Sequence, residues 1–189
     1  MIEDLDFETY LYISKDKFQI FVLNKKKLKN LYSQELKINH QFDFKDLNIL
    51  SNFLDKNIYK IEKLIGNFIK NIILIVENEK NLKIDMGIKK SYETSLKQKS
   101  FSSNLTELKD LFKKNYQDQT IMHMCIINYI IDGKRYSSFD SKLINDYFCI
   151  EVSFIAIDNK LVFAFDNVLE KYQIKICLLY TSDAADDAH

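Results

Sequence analysis

The chain has 189 residues, with 27 basic and 27 acidic side chains that cancel to a formal net charge of zero. Its 47% hydrophobic and 13% aromatic content suits one or two small globular domains and excludes a disordered chain. No apolar stretch approaches the about 20 residues that span a bilayer, and the acidic opening MIEDLDFE lacks the basic and apolar regions of a signal peptide.

Three strands open the chain. Tyr10 to Ile13, Phe18 to Asn24 and Leu28 to Ile38 read as a meander, with turns at SKD and NKK. Leu47, Leu50, Leu54, Ile58, Ile61, Leu64, Ile65 and Phe68 then recur at helical spacing and define a long amphipathic helix beginning near Asp43 or Asp46. The run NIILIV that follows has the continuous apolar character of a strand buried on both faces.

Leu82 to Ser91 reads as a further strand. Asn104 is placed to cap a short helix whose apolar face carries Leu105, Leu108, Leu111, Phe112 and Tyr116. Along this strand the alternation puts Ile121, His123, Cys125, Ile127, Tyr129 and Ile131 on one side, and Met122, Met124, Ile126 and Ile130 on the other. Asp132 and Gly133 form a tight-turn dipeptide able to hold positive φ, and YFCIEVSFIAI, from Tyr147 to Ile157, is a β-branched and aromatic strand. Leu161, Phe165, Val168, Leu169 and Tyr172 return to a 3.6-residue period before QIKI opens a last strand. The resulting order, β-α-β-β-α-β, predicts a small sheet with helices on one face.

These residues resemble a known family. IMHMCIINYIIDGKRY, the strand CIEVSFIAI and the helix ending VLEKYQIKI are similar in order and character to the subdomain unique to FtsA, the bacterial actin-like cell-division protein. Ile121, His123, Tyr129, Ile130, Asp132 and Gly133 fit that family's strand-and-turn pattern, and IKNIILIVENEKNLKIDMGIKK is similar to the segment leading into it. The resemblance covers roughly Ile69 to Ile176. It implies an α/β (α+β) fold: residues 1–85 as a partial actin-like, ribonuclease H-like subdomain of strands plus one long helix, and residues 86–176 as the FtsA-type extra subdomain. It also implies a cytoplasmic component that self-associates and meets division proteins such as FtsZ at the inner membrane. In the family, the FtsZ contact and a membrane-binding C-terminal helix belong to the second half, which this chain lacks.

The same resemblance bears on nucleotide chemistry. Actin-like phosphate sites put an acidic residue and glycines in the turn between the first two strands, so that backbone N–H groups can approach the phosphates. Here Tyr12 stands where the family has its acidic residue and Ser14 replaces the glycine, leaving Ser14, Lys15, Asp16 and Lys17 as a remnant. Gly66 reads as lying inside a helix, Gly87 inside a strand and Gly133 in a hairpin, so none makes a phosphate loop. The expectation is a chain that is not itself an enzyme, with ATP binding open only to a longer protein. An active actin-like ATPase or sugar kinase remains a weaker reading.

Other features are bland. His123 is expected to be a packed strand histidine with no nucleophile assigned beside it, His40 lies in a polar loop, and Cys125, Cys149 and Cys177 lack the spacing of a zinc site or disulfide framework. Lys25, Lys26 and Lys27 suit a solvated turn, and Met122 and Met124 suit packing. Lys134, Arg135 and Tyr136, after the hairpin turn, are the interaction candidate, since exposed Arg and Tyr are enriched at interfaces. An alternative to the division protein is a small RNA-binding β-α-β-β-α-β module, although neither central strand carries the interleaved basic, glycine and aromatic signature. Finally, CLLYTSDAADD, within residues 177–189, is similar to the translation of a sequencing adapter, so the biological sequence is expected to stop at about Ile176.

Overall fold

A computed structural model describes residues 6–39, 42–91, 101–140, 144 and 146–181; His40 and His189 lie outside them. In chain order the elements are β1 (Phe7–Ile13), β2 (Lys17–Asn24), β3 (Lys29–Lys37), α1 (Asn48–Ile65), β4 (Asn71–Val76) and β5 (Leu82–Ser91). Then come α2 (Phe101–Asn115), β6 (Gln119–Ile131), β7 (Lys134–Tyr136), β8 (Tyr147–Asp158), α3 (Asn159–Glu170) and β9 (Lys175–Tyr180). Two compact units result, one of residues 1–80 with 159–189 and the other of residues 81–158.

The first unit is a sheet in the order β3-β2-β1-β4-β9. The β1–β2 and β2–β3 pairs are antiparallel, as short turns require, whereas β4 is parallel to both β1 and β9. Leu11, Ile13, Phe18, Ile20 and Val22 alternate into the buried face, and α1 offers Leu50, Phe53, Leu54, Ile58, Ile61 and Ile65 to the core. Phe18 meets Phe53 at a ring separation of 6.1 Å, and the Tyr32 hydroxyl donates to Asn57 Oδ1 at 2.6 Å, so α1 is held by both packing and a polar clip. On β4, Ile72, Ile73, Leu74 and Val76 are all buried, as the unbroken apolar run predicts for a parallel strand covered on both sides.

The ends of α1 have local causes. Asp46 Oδ1 accepts the Asn48 N–H at 3.0 Å where the helix begins. Gly66 then takes a left-handed φ of +68° and donates its N–H to the Glu62 carbonyl at 2.9 Å, so it terminates the helix rather than lying within it. Two residues of the predicted apolar face end up outside the core: Leu64, within the helix, is 56% exposed and Phe68, beyond the cap, is 74% exposed.

The second unit is an antiparallel sheet in the order β5-β8-β6-β7, with α2 on one face. Leu108 and Phe112 of α2 join Ile150, Val152, Phe154 and Ala156 of β8 in one core, with the Phe112 and Phe154 rings stacked 4.9 Å apart. Asn104 is not a cap; it sits inside α2 and is buried. The β6–β7 turn is made by Asp132 at φ +47° and Gly133 at φ +83°, and Asp132 Oδ1 accepts the N–H groups of Asp146 and Tyr147 at 3.0 and 2.9 Å. One turn residue thus also fixes the start of β8.

Three expectations are corrected. The alternation along β6 is reset twice, because the register with β8 shifts between Ile121 and His123 and again between Ile126 and Asn128. Ile121, Met124, Ile126, Tyr129 and Ile131 therefore pack toward the core, which splits the set expected on one side. The helix and strand expected to complete a β-α-β-β-α-β sheet return instead to the first unit: Phe165 of α3 meets Phe44, the Tyr172 hydroxyl donates to Asp55 Oδ1 at 2.6 Å, and β9 pairs with β4. Boundaries expected at 85/86 and 176/177 accordingly fall at 80/81 and 158/159. The backbone groups along the second edge of β4 find their partners in β9, which pairs with it in parallel. Cys177 to Tyr180 are part of that strand, while residues 182–189 lie outside the described residues.

Leu54→Ala, at a fully buried position, is expected to cost about 2–5 kcal/mol, and Leu64→Ala no more than about 0.5 kcal/mol. Urea denaturation of the two variants checks this, and equal losses would contradict the packing of α1.

Candidate functional site

The β1–β2 turn holds the residues expected as a phosphate remnant, of which Lys15 and Asp16 are exposed. Ser14 is 2% exposed. Its Oγ accepts the N–H of Lys17 at 3.1 Å and that of Asp16 at 3.4 Å, while its own hydroxyl donates to the Asp16 carboxylate. That bond holds the Asp16 carboxyl below its ordinary value. The carbonyls of Lys15 and Asp16 accept the N–H groups of Phe42 and Ile38, both at 2.7 Å.

Both lysines of the turn have partners. Lys15 is paired with Glu79, which raises the lysine and lowers the carboxyl. Lys17 Nζ lies 3.7 Å from Glu35 and 5.1 Å from the centre of the Tyr12 ring. The structure thus brings Ser14, Lys15, Asp16 and Lys17 together, but as a turn whose amides and charges answer one another. Tyr12, at the family's acidic position, donates to Glu77, and burial first, then that carboxylate, pushes its hydroxyl up to about 12.

Lys134, Arg135 and Tyr136 form β7 itself. Lys134 and Arg135 are exposed, and Arg135 Nη2 lies 3.9 Å from Glu151, whose carboxylate also accepts from Asn128 Nδ2 at 3.1 Å. Tyr136 differs from the expectation of an exposed pair: it stands opposite Tyr129 and packs against the core of the second unit. Only the two basic residues of this trio face solvent.

A further group was not assembled from the sequence. His123 and Cys125 share the face of β6 turned away from α2, and His123 Nε2 lies 2.6 Å from Cys125 Sγ. Directly across the ladder from Cys125 is Ser153, 7% exposed, whose Oγ has no hydrogen-bond partner. The signal was present in the spacing: His-x-Cys on a strand puts both side chains on one face. What concealed it was the neighbouring reset of register, which changes which face that is.

Three tyrosines of the first unit hold their protons late. Tyr10 is raised to about 12 chiefly by its bond to Glu8, while Tyr12 and Tyr172 reach about 12 through burial and then through Glu77 and Asp55. Since the folded state binds these protons more tightly than the unfolded chain, the stabilisation is full below about pH 10 and is lost as pH climbs through about 12. Ultraviolet titration of tyrosinate is expected to show a late phase that shrinks when all three are changed to Phe, with Tyr32, also raised by burial, left behind; a single phase at the ordinary tyrosine value would contradict these contacts.

No protein-family model matches the sequence, and neither does any curated protein. Among solved structures, the PilM-PilN type IV pilus biogenesis complex is similar over 94% of this chain and 48% of that chain, with 9% identity and a TM-score of 0.57. The cytoplasmic domain of EpsL, an inner membrane component of the type II secretion system of Vibrio cholerae, matches 92% of this chain and 55% of its own at 10% identity, with a TM-score of 0.39. A Bacteroides thetaiotaomicron protein with an actin-like ATPase fold and unknown function matches 96% and 54% at 15% identity, with a TM-score of 0.34. This chain spans about half the length of the solved structures it matches. The likeness that carries weight is the first, and it agrees with the sheet order: the fold is a partial actin-like α/β domain.

Proposed function

We propose that this chain is part of an actin-like assembly protein, an FtsA-like component of the bacterial division ring that works by protein–protein contact rather than by nucleotide chemistry. The observation that carries this reading is the insertion of residues 81–158 as a separate unit into an actin-like sheet. Within that unit, the Tyr129–Gly133 segment on which the resemblance rests forms the end of β6 and its turn. The similar solved structure is itself a complex of two pilus proteins, which supports a docking role for the fold more broadly.

The first turn supports the other half of the proposal. A phosphate there would compete with Ser14 for the amides of Asp16 and Lys17 and would meet the Asp16 carboxylate. Backbone donors already answered, beside a fixed negative charge, make a poor anion cradle. The RNA-binding alternative finds little support, because the sheet aromatics Tyr129, Phe148 and Phe154 pack into the core instead of presenting their faces to bases. By the resemblance, partners are further copies and division proteins such as FtsZ at the cytoplasmic face of the inner membrane. In the family this chain resembles, membrane attachment belongs to a C-terminal helix; no helix of the described residues is long and apolar enough to cross a bilayer.

Two measurements test the proposal. Calorimetric titration of the chain with magnesium ATP is expected to show no saturable binding tighter than about 1 mM. A two-hybrid screen of the chain against itself and against division proteins is expected to give an interaction that Lys134→Glu with Arg135→Glu weakens about tenfold. Micromolar ATP binding, or salt-sensitive retention on RNA with no protein contact, would overturn it.

A further inference from the structure

Beyond any docking role, the outer face of the second sheet carries a chemical constellation. Met124 and Ile126 point to the core, so the intervening Cys125, and His123 two residues before it, point away from α2. On β8, Val152 and Phe154 are in the core, so Ser153 points the same way as Cys125, its directly opposed residue. The imidazole touches the sulfur, with Nε2 and Sγ 2.6 Å apart, and both residues are half-buried. Ser153 adds an independent sign of a missing ligand: a hydroxyl nine-tenths buried with nothing to bond, which is costly unless something accepts from it.

We propose that Cys125, His123 and Ser153 form a site of cysteine oxidation whose substrate is a hydroperoxide. The imidazole of His123 takes the thiol proton at Nε2. The Cys125 thiolate attacks the terminal oxygen of the hydroperoxide, so the S–O bond forms as the O–O bond breaks. Sulfur is oxidised to the sulfenate level and the peroxide is reduced. The leaving hydroxide or alkoxide takes the proton from the imidazolium and departs as water or alcohol. The Ser153 hydroxyl then donates to the oxygen newly bound to sulfur, which gives the buried donor its acceptor. Thiolate character and access govern such chemistry, and a proton acceptor in contact with the sulfur supplies the first.

The same sheet contains its own comparison. Cys149 also lies on the outer face of β8, opposite Ile130, but burial pushes its thiol up and, among the described residues, no imidazole meets it. Charged groups on the Cys125 side of the sheet are Lys83, Asp85 and Lys89 on β5, Glu151 on β8 and Arg135 on β7, with Lys89 set opposite Cys149. Asp85 and Lys83 stand one strand farther away, beyond β8, and Glu151 is engaged by Asn128 and Arg135. His123 is the side chain whose ring nitrogen lies against the sulfur.

Timed alkylation of the whole chain with iodoacetamide at neutral pH, read by peptide mass spectrometry, is expected to label Cys125 about tenfold faster than Cys149. His123→Gln should remove that advantage and leave the Cys149 rate unchanged. A rise in both rates would instead mean that the substitution opened the sheet, and His123→Asn would then serve as the second variant. Ser153→Ala should preserve the alkylation rate but reduce the yield of sulfenate trapped by dimedone after a hydrogen peroxide pulse. Equal labelling of Cys125 and Cys149, or a Cys125 rate insensitive to both histidine substitutions, would overturn the proposal.

Discussion

The architecture turns on β4. A strand held in parallel on both sides cannot receive its neighbours through hairpins; each must arrive by a crossover. One crossover is filled by β2, β3 and α1. The other carries the chain through all of residues 81–158 before α3 and β9 complete the sheet. The burial of Ile72, Ile73, Leu74 and Val76 ties these paths together, because a strand this apolar is stable only with its edges paired and its faces covered.

Much of this was legible in the sequence because local patterns have local causes. The strands of the meander, NIILIV, Leu82 to Ser91 and the YFCIEVSFIAI strand are all found where composition and period place them. The Asp132–Gly133 turn forms as its two residues demand, in left-handed backbone that most other residues avoid. Periodicity is silent on destination, however. α3 and β9 have the same pattern whichever sheet they join, and only the open edge of β4 decides between them. It is also fragile: one inserted residue reverses the inward and outward sides of a strand, and β6 contains two such shifts. The loss of Leu64 from the core is a subtler case, since the apolar stripe of α1 is wider than the surface available to cover it.

The candidate sites show the same division. The residue types of the turn after β1 suggest a phosphate remnant, but not that the buried oxygen of Ser14 collects two amides of the turn. That interaction is between near neighbours, but its effect depends on Ser14 being sealed beneath the turn. Lys15 and Glu79, far apart in sequence, could not have been paired by reading along the chain. The His123 and Cys125 pair is the opposite case, adjacent on one strand but given chemical meaning by the strand across from it, where Ser153 leaves a hydroxyl without a bond.

Antiparallel pairing of β5 with β8 runs from Leu82 opposite Ala156 to Ser91 opposite Tyr147, so the inserted unit begins and finishes at neighbouring points of its own ladder. A segment closed in this way behaves as a cassette. Its loss, enlargement or exchange makes little demand on the length of the host connection, and the host's strand order can persist while the inserted surface diverges. Lineages that share the host can thereby acquire different attachments without rebuilding the scaffold that bears them.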